Sequence, residues 1–181
     1  MNKTILALAL SLAVYAAQAQ NGPPKPPPTT LKGVLLEQLR STHSSQEWFV
    51  SGNTAIQGLT AEQARWTDGK GNHSVGQLTY HLVFWNKEML AKFKGEKQKV
   101  FNGNNDETFN NFNAEQWADL VKQFDQGMTD WEKAVEAADD AAIAKNASMI
   151  AHIGSHNAYH IGQIVFVRKE QGSWDPAKGV K

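Results

Sequence analysis

The sequence predicts an all-α fold, a four-helix bundle, and three observations predict it. From Leu31 onward apolar residues recur at helical spacing, and no stretch alternates as a half-buried strand does. Side chains suited to capping a helix N-terminus stand just before the apolar runs. Between those runs lie clusters of Gly, Asn and Asp, which favour turns over helix.

Each element follows in order. Leu31, Leu35, Leu39, Thr42 and Phe49 fall along one face of a first helix, and a turn-rich segment follows at Gly52 and Asn53. Thr60, Ala61, Glu62 and Gln63 open a single helical turn, and residues 68–72 form a turn cluster. Ser74, Val75, Gly76 and Gln77 have the form of a capping box, in which the Ser hydroxyl and the Gln amide satisfy each other's backbone N–H. The second helix should therefore run over residues 74–94. A second box, Asn113 to Gln116 in the chain, opens a third helix bearing Trp117, Leu120, Phe124, Met128, Trp131 and Val135. The fourth covers residues 148–171, stopping at Gly172 with Pro176 beyond.

The connection between the second and third helices holds eighteen residues, long for a turn between antiparallel neighbours. A helix of about twenty residues is ~30 Å long, and the connection can reach ~60 Å when extended. It is long enough to travel back along the bundle and start the third helix parallel to the second. A loop between antiparallel helices also satisfies the length. The Asn-rich stretch over residues 102–113 reads as a solvated crossover.

Composition narrows the function. Eighteen basic residues balance eighteen acidic ones, so no cationic excess exists to neutralise phosphates, and a nucleic-acid partner is not expected. With no cysteine, disulfides, thiolate nucleophiles and Cys-based zinc sites are excluded. Lys3, the apolar run over residues 5–17 and the small residues Ala17 and Ala19 read as a signal peptide over residues 1–19, cut before Gln20. The apolar run is shorter than the ~20 residues a spanning helix needs, so no stable membrane span remains after cleavage. Residues 20–30 hold five of the six prolines and form a semi-rigid linker, leaving residues 31–181 as the folded domain. An exported protein, periplasmic or secreted and bacterial in character, is the expectation.

The histidines carry the chemistry. His152, His156 and His160 recur every fourth residue, and at ~100° per residue His156 and His160 fall within the apolar stripe, with His152 at its edge. Two imidazoles one turn apart on a core-facing stripe are costly unless their nitrogens are satisfied, and this is the spacing at which one helix offers two metal ligands. On the second helix, His81 flanks the buried face. His73 lies ~12 Å further back along the axis, and His43, beside Ser44 and Ser45, reads as solvent-exposed. The residues alone therefore select His81, His156 and His160 as a metal site, with His152 in reserve. Glu88, two turns past His81 on nearly its azimuth, and Tyr159, beside His160, are candidates for proton transfer or for holding the ligands.

The stretches HSVGQLTYHLVFW (residues 73–85) and HNAYHIGQI (residues 156–164), with LTAEQARW (residues 59–66) upstream, resemble the DinB-like (YfiT-like) superfamily. The resemblance extends over most of the chain from Leu31 to about Trp174. It implies a four-helix bundle of up-down-down-up topology with a long crossover between helices two and three. It matches His81, His156 and His160 to the family's metal-binding triad and Gln163 to a polar position after the last ligand. Ile161 stands where many relatives have Arg. Three neutral imidazoles leave coordination positions open, as in catalytic rather than structural sites, and they suit zinc, nickel or iron.

A divalent metal ion that activates water, in a hydrolase acting outside the cytoplasm on a small-molecule substrate, is the expected function. The resemblance also implies a thiol S-transferase of the bacillithiol or mycothiol type, which export argues against because those thiols are cytosolic. A non-enzymatic metal-binding or dimerising module is the contrasting class, and a homodimer is expected.

Overall fold

Side-chain caps decide where the helices begin. In the computed structural model, which describes residues 26–97, 101 and 103–179, the Thr30 hydroxyl accepts from the Gly33 N–H and opens α1, Leu31–His43. Ser51 opens the short α2, Gly52–Ile56, and a complete Thr60–Gln63 capping box opens α3, Ala61–Arg65. The Ser74–Gln77 box is also complete, with both bonds formed (2.9 and 3.1 Å), and α4 runs Val75–Phe93. After a short α5, Glu107–Asn110, the chain makes a 3-10 turn and enters α6, Trp117–Ala137. Asp139 accepts from the Ala142 N–H and opens α7, Asp140–Glu170. Among the described residues there is no strand, and none of the helices is long and apolar enough to cross a membrane. Residues 1–19, expected as a signal peptide, and the first part of the expected Pro-rich linker lie outside the described residues.

Four expectations change, the first at Gly52 and Asn53, which begin a helix capped by Ser51 rather than a turn. The first helix ends at His43, because the N–H groups of Ser44 and Ser45 both turn back to the Arg40 carbonyl; Phe49 lies beyond its end. At Asn113 the box does not form: its side-chain oxygen accepts from the Glu115 N–H rather than from Gln116, and α6 begins at Trp117. The last helix starts eight residues before the expected position of 148, at the Asp139 cap. Its added turns are built from Ala-rich sequence that carries one buried anchor, Ile143.

The four long helices pack in a ring, with α1 and α4 each lying against both α6 and α7. Cross-helix contacts give the directions. Lys32 at the start of α1 reaches the Ala138 carbonyl after α6, while His43 at its end meets Glu132 and Asp125, so α1 and α6 are antiparallel. Phe112, just before α6, lies over Gly76 near the start of α4. The Trp131 indole donates to the Asn86 carbonyl further along both helices, so α4 and α6 are parallel. His81 faces His156 and His160, while Leu90 shares a cluster with Ile150 and Ile153, so α4 and α7 are antiparallel. These directions are compatible with the up-down-down-up order.

Two apolar clusters fill the interior. One gathers Leu78, Leu82, Trp117, Phe124, Met128, Ile161 and Ile164, and the other Leu35, Leu39, Leu90, Trp131, Val135, Ile143 and Ile150. Asn86 and Asn157 stand between them and bond to each other reciprocally, at 2.8 and 3.2 Å.

Close packing yields a prediction of opposite signs at two glycines. A Cβ on Gly52 would lie 2.7 Å from Cε1 of Phe124 and 2.8 Å from the Thr42 carbonyl oxygen, whereas one on Gly127 would meet nothing within 4 Å. Gly52→Ala should therefore lose about 1–3 kcal/mol through overpacking. Gly127→Ala, in the middle of α6, should gain about 0.5–1 kcal/mol from reduced backbone entropy. Denaturant melts of the two variants check this.

Candidate metal centre

The site is built on two facing helices and roofed by the crossover. On α7, the four-residue spacing of His156 and His160 puts both rings on one face, 4.6 Å apart between centroids. From α4, His81 meets them with centroids 5.0 Å from His156 and 4.7 Å from His160. One nitrogen from each of the three rings lies within 4.8 Å of the others. His81 and His160 are buried, and His156 is half-buried.

The outer nitrogens of two rings are held. His81 Nδ1 is 2.6 Å from the Thr108 hydroxyl of α5, and His160 Nδ1 is 2.6 Å from the Gln163 amide oxygen one turn along α7. Their Nε2 atoms are thereby turned inward. His156 Nε2 approaches His81 Nε2 at 3.0 Å, and His156 Nδ1 is buried without a hydrogen-bond partner. Such a set fits a metal ion well. Three nitrogens on a tetrahedral ion at ~2.0–2.1 Å would stand ~3.3 Å apart, close to the contact already present.

Electrostatics favour the ligand form of each ring. Burial first, then the neighbouring His160, His156 and His73, push His81 down to about 3. Burial and then His160 push His156 down to about 4. His160 is lowered by burial as well, although its bond to Gln163 works in the opposite direction. All three rings are neutral at pH 7, as metal ligation requires.

The structure brings together His81, His156 and His160 and leaves the other candidates at varying distance. His152 is on the exposed side of α7 and does not join the group. Tyr159 is 64% exposed, but its hydroxyl accepts from the Gln163 amide at 3.3 Å, so it touches the site through Gln163. Glu88 lines a groove of about 780 Å³ between α4 and α6, together with Lys87, Gln126 and Asp130. His43 is not solvent-exposed: it is buried under α6, with Nδ1 2.6 Å from Glu132 and Nε2 2.9 Å from Asp125. The two acids draw it in, and they come from a helix that local spacing cannot place beside it.

Residues of the crossover were missed. Phe109 is stacked between His73 and His81, with centroids 4.0 and 3.9 Å away and the rings nearly parallel. The Asn-rich stretch is therefore not merely solvated; Thr108 and Phe109 are both buried and cover the imidazoles. The signal available was the pair Phe109 and Phe112, aromatic residues in an otherwise polar run.

The sequence model of the DinB superfamily matches residues 53–164, which include all three histidines and both of their outer partners. The chain belongs to the DinB superfamily. No curated protein and no solved structure matches it. In this DinB-superfamily chain the matched region takes in the whole of α4 and the crossover, and it stops within α7 just past Gln163.

The lowered imidazole pKa values set a pH dependence for the metal-free protein. In the unfolded chain these rings take up protons below pH ~6.5. The folded state resists protonation until far lower, so the unfolded state binds more protons in between, and stability declines as pH falls. The melting temperature of metal-free protein should be level above pH ~6.5 and drop progressively from there toward pH 4. His81→Gln should make that decline shallower throughout, read from thermal melts in matched buffers.

Proposed function

We propose that His81, His156 and His160 bind one divalent metal ion and that the chain is a metal-dependent enzyme of hydrolytic type, acting on a small molecule outside the cytoplasm. The observation that carries this reading is the convergence of three neutral imidazoles, with His156 Nε2 3.0 Å from His81 Nε2 and His156 Nδ1 buried and unpartnered. A closed structural site would fill four positions from the protein, whereas three ligands leave room for a substrate or solvent molecule. The bound ion supplies Lewis acidity at neutral pH. Nitrogen donors suit zinc, nickel or iron.

The chain's own residues would perform the remaining work. Thr108 and Gln163 hold the outer nitrogens of His81 and His160 and so fix ring orientation. Phe109 covers one face of His81 and keeps water from that side. Tyr159, exposed at the edge and bonded to Gln163, is the group we assign to proton transfer with substrate. Glu88 faces the α4–α6 groove and receives no role. Export rests on the signal-peptide character of residues 1–19 and makes water, rather than a cytosolic thiol, the available nucleophile.

Metal analysis of protein purified without chelator should find about one ion per chain. His81→Ala, His156→Ala and His160→Ala should each lose most of it, while His152→Ala, on the exposed side of α7, should retain it. Full retention in His81→Ala would refute the three-histidine site. Chelation should lower the melting temperature yet leave the helical circular dichroism intact, because two apolar clusters hold the bundle without the metal. Ester and amide turnover should follow metal occupancy with no thiol added; turnover only with added thiol would instead establish the S-transferase reading.

A further inference from the structure

We propose that Thr108 is the positioning residue of the imidazole cluster: its hydroxyl, committed as a donor to the Asn105 carbonyl, fixes His81 as the Nδ1–H tautomer and leaves the Nε2 lone pair facing His156 and His160. The proposal deepens the metal-site reading and rests on it only for its affinity consequences.

The argument is one of proton bookkeeping between buried atoms. Thr108 Oγ1 lies 2.6 Å from the Asn105 carbonyl oxygen and 2.6 Å from His81 Nδ1. A carbonyl only accepts, and two oxygens at that separation need a proton between them, which the hydroxyl alone can supply. Having given its one proton to Asn105, the hydroxyl can only accept from the imidazole. The proton of the second short contact therefore sits on His81 Nδ1. Thr108 is 1% exposed and His81 3%, so water does not offer either atom a substitute partner.

The same logic accounts for the orphaned nitrogen. With His81 Nε2 an acceptor, the 3.0 Å contact between His81 Nε2 and His156 Nε2 must be donated by His156. A neutral His156 then has no proton on Nδ1, which is the buried atom without a partner. In the metal-free chain His81 and His156 are thus opposite tautomers; His81 is already in the form that ligates through Nε2, as is His160, whose Nδ1–H donates to the Gln163 amide oxygen, and His156 is not. The crossover is anchored for this task. The Trp85 indole, one turn past His81 on α4, donates to the Asn105 side-chain oxygen at 3.3 Å, and the Thr108 N–H donates to the Asn105 carbonyl at 3.0 Å. The hydroxyl is therefore set from a loop tied back to the helix that carries the ligand.

The test reads tautomers and affinity separately. Long-range proton–nitrogen correlation spectra of the metal-free full chain, labelled at histidine nitrogen, should show His81 as Nδ1–H and His156 as Nε2–H. Thr108→Val, which keeps the shape and removes the acceptor, should move His81 toward Nε2–H and weaken zinc binding about 10–100-fold in a chelator competition. Thr108→Ser, which keeps the hydroxyl, should restore both. An Nε2–H signal for His81 in the wild type overturns the proposal without any variant, and so does Thr108→Val that keeps wild-type tautomer and affinity. If Thr108→Val does not fold, as judged by its melt, the wild-type and Thr108→Ser spectra decide. A wild type that binds no zinc overturns the metal reading, and the tautomer spectra still decide the role of Thr108.

Discussion

The reciprocal amide pair between Asn86 and Asn157 is the contact on which the rest of the molecule depends. Both side chains are fully interior, and each supplies the other's donor and acceptor. Sliding α4 against α7 by one turn would break both amide bonds and leave buried polar groups without partners, at a cost of ~1–3 kcal/mol each; Asn86 Nδ2 would keep a second acceptor, the Leu82 carbonyl of its own helix. Apolar contacts alone would tolerate such a slip far better, since one Leu or Ile replaces another. The pair lies five residues from His81 on one helix and three from His160 on the other. It therefore fixes the register that brings the imidazoles together, in the way a single buried Asn fixes a coiled coil. Trp131 adds a third helix to this layer by donating to the Asn86 carbonyl, and Met128 of α6 lies 3.3 Å from the Asn157 amide.

That register brings buried imidazoles into a region where neutral polar atoms are expensive. The molecule resolves this unevenly. Two outer nitrogens donate short hydrogen bonds to the Thr108 hydroxyl and the Gln163 amide oxygen, the inner ones face each other, and His156 Nδ1 is left bare. Native structures retain few buried polar atoms in that condition, and they concentrate where function requires them. The crossover contributes to the same site, because Phe109 slots between His73 and His81 while Phe112 takes the space that Gly76 leaves open on α4. A segment whose composition suggests a surface loop is in this way part of the wall.

Away from the site, polar contacts rather than covalent links join the periphery to the bundle, as a chain without cysteine requires. Along α1, Lys32, Arg40 and His43 all engage α6, through the Ala138 carbonyl, Glu136 and Glu132, and Asp125 respectively. At the opposite corner the buried Arg168 guanidinium donates to the carbonyls of Ala55, Gln57 and Ser173 and lies 5.1 Å from the Trp174 ring. It gathers the end of α2, the end of α7 and the C-terminal segment with one side chain. Its charge is met by carbonyl dipoles and an aromatic face rather than by a carboxylate.

The sequence by itself determined the helical class, the starts of α3 and α4, and the three histidines of the site. Each of those is a local property: a capping box closes within four residues, and two imidazoles four apart share a face whatever surrounds them. Even the early start of α7 was written locally, in Asp139 ahead of an alanine-rich turn, although the apolar stripe that begins later is the stronger signal. Only the tertiary structure decided which nitrogens face inward, that His43 is buried, and that the crossover roofs the site. His81 and Thr108 are 27 residues apart, and His43 is 82 and 89 residues from its two acids. Contacts at such separation leave no periodicity in the chain, because they depend on where the folded bundle carries each segment and not on the residues beside it.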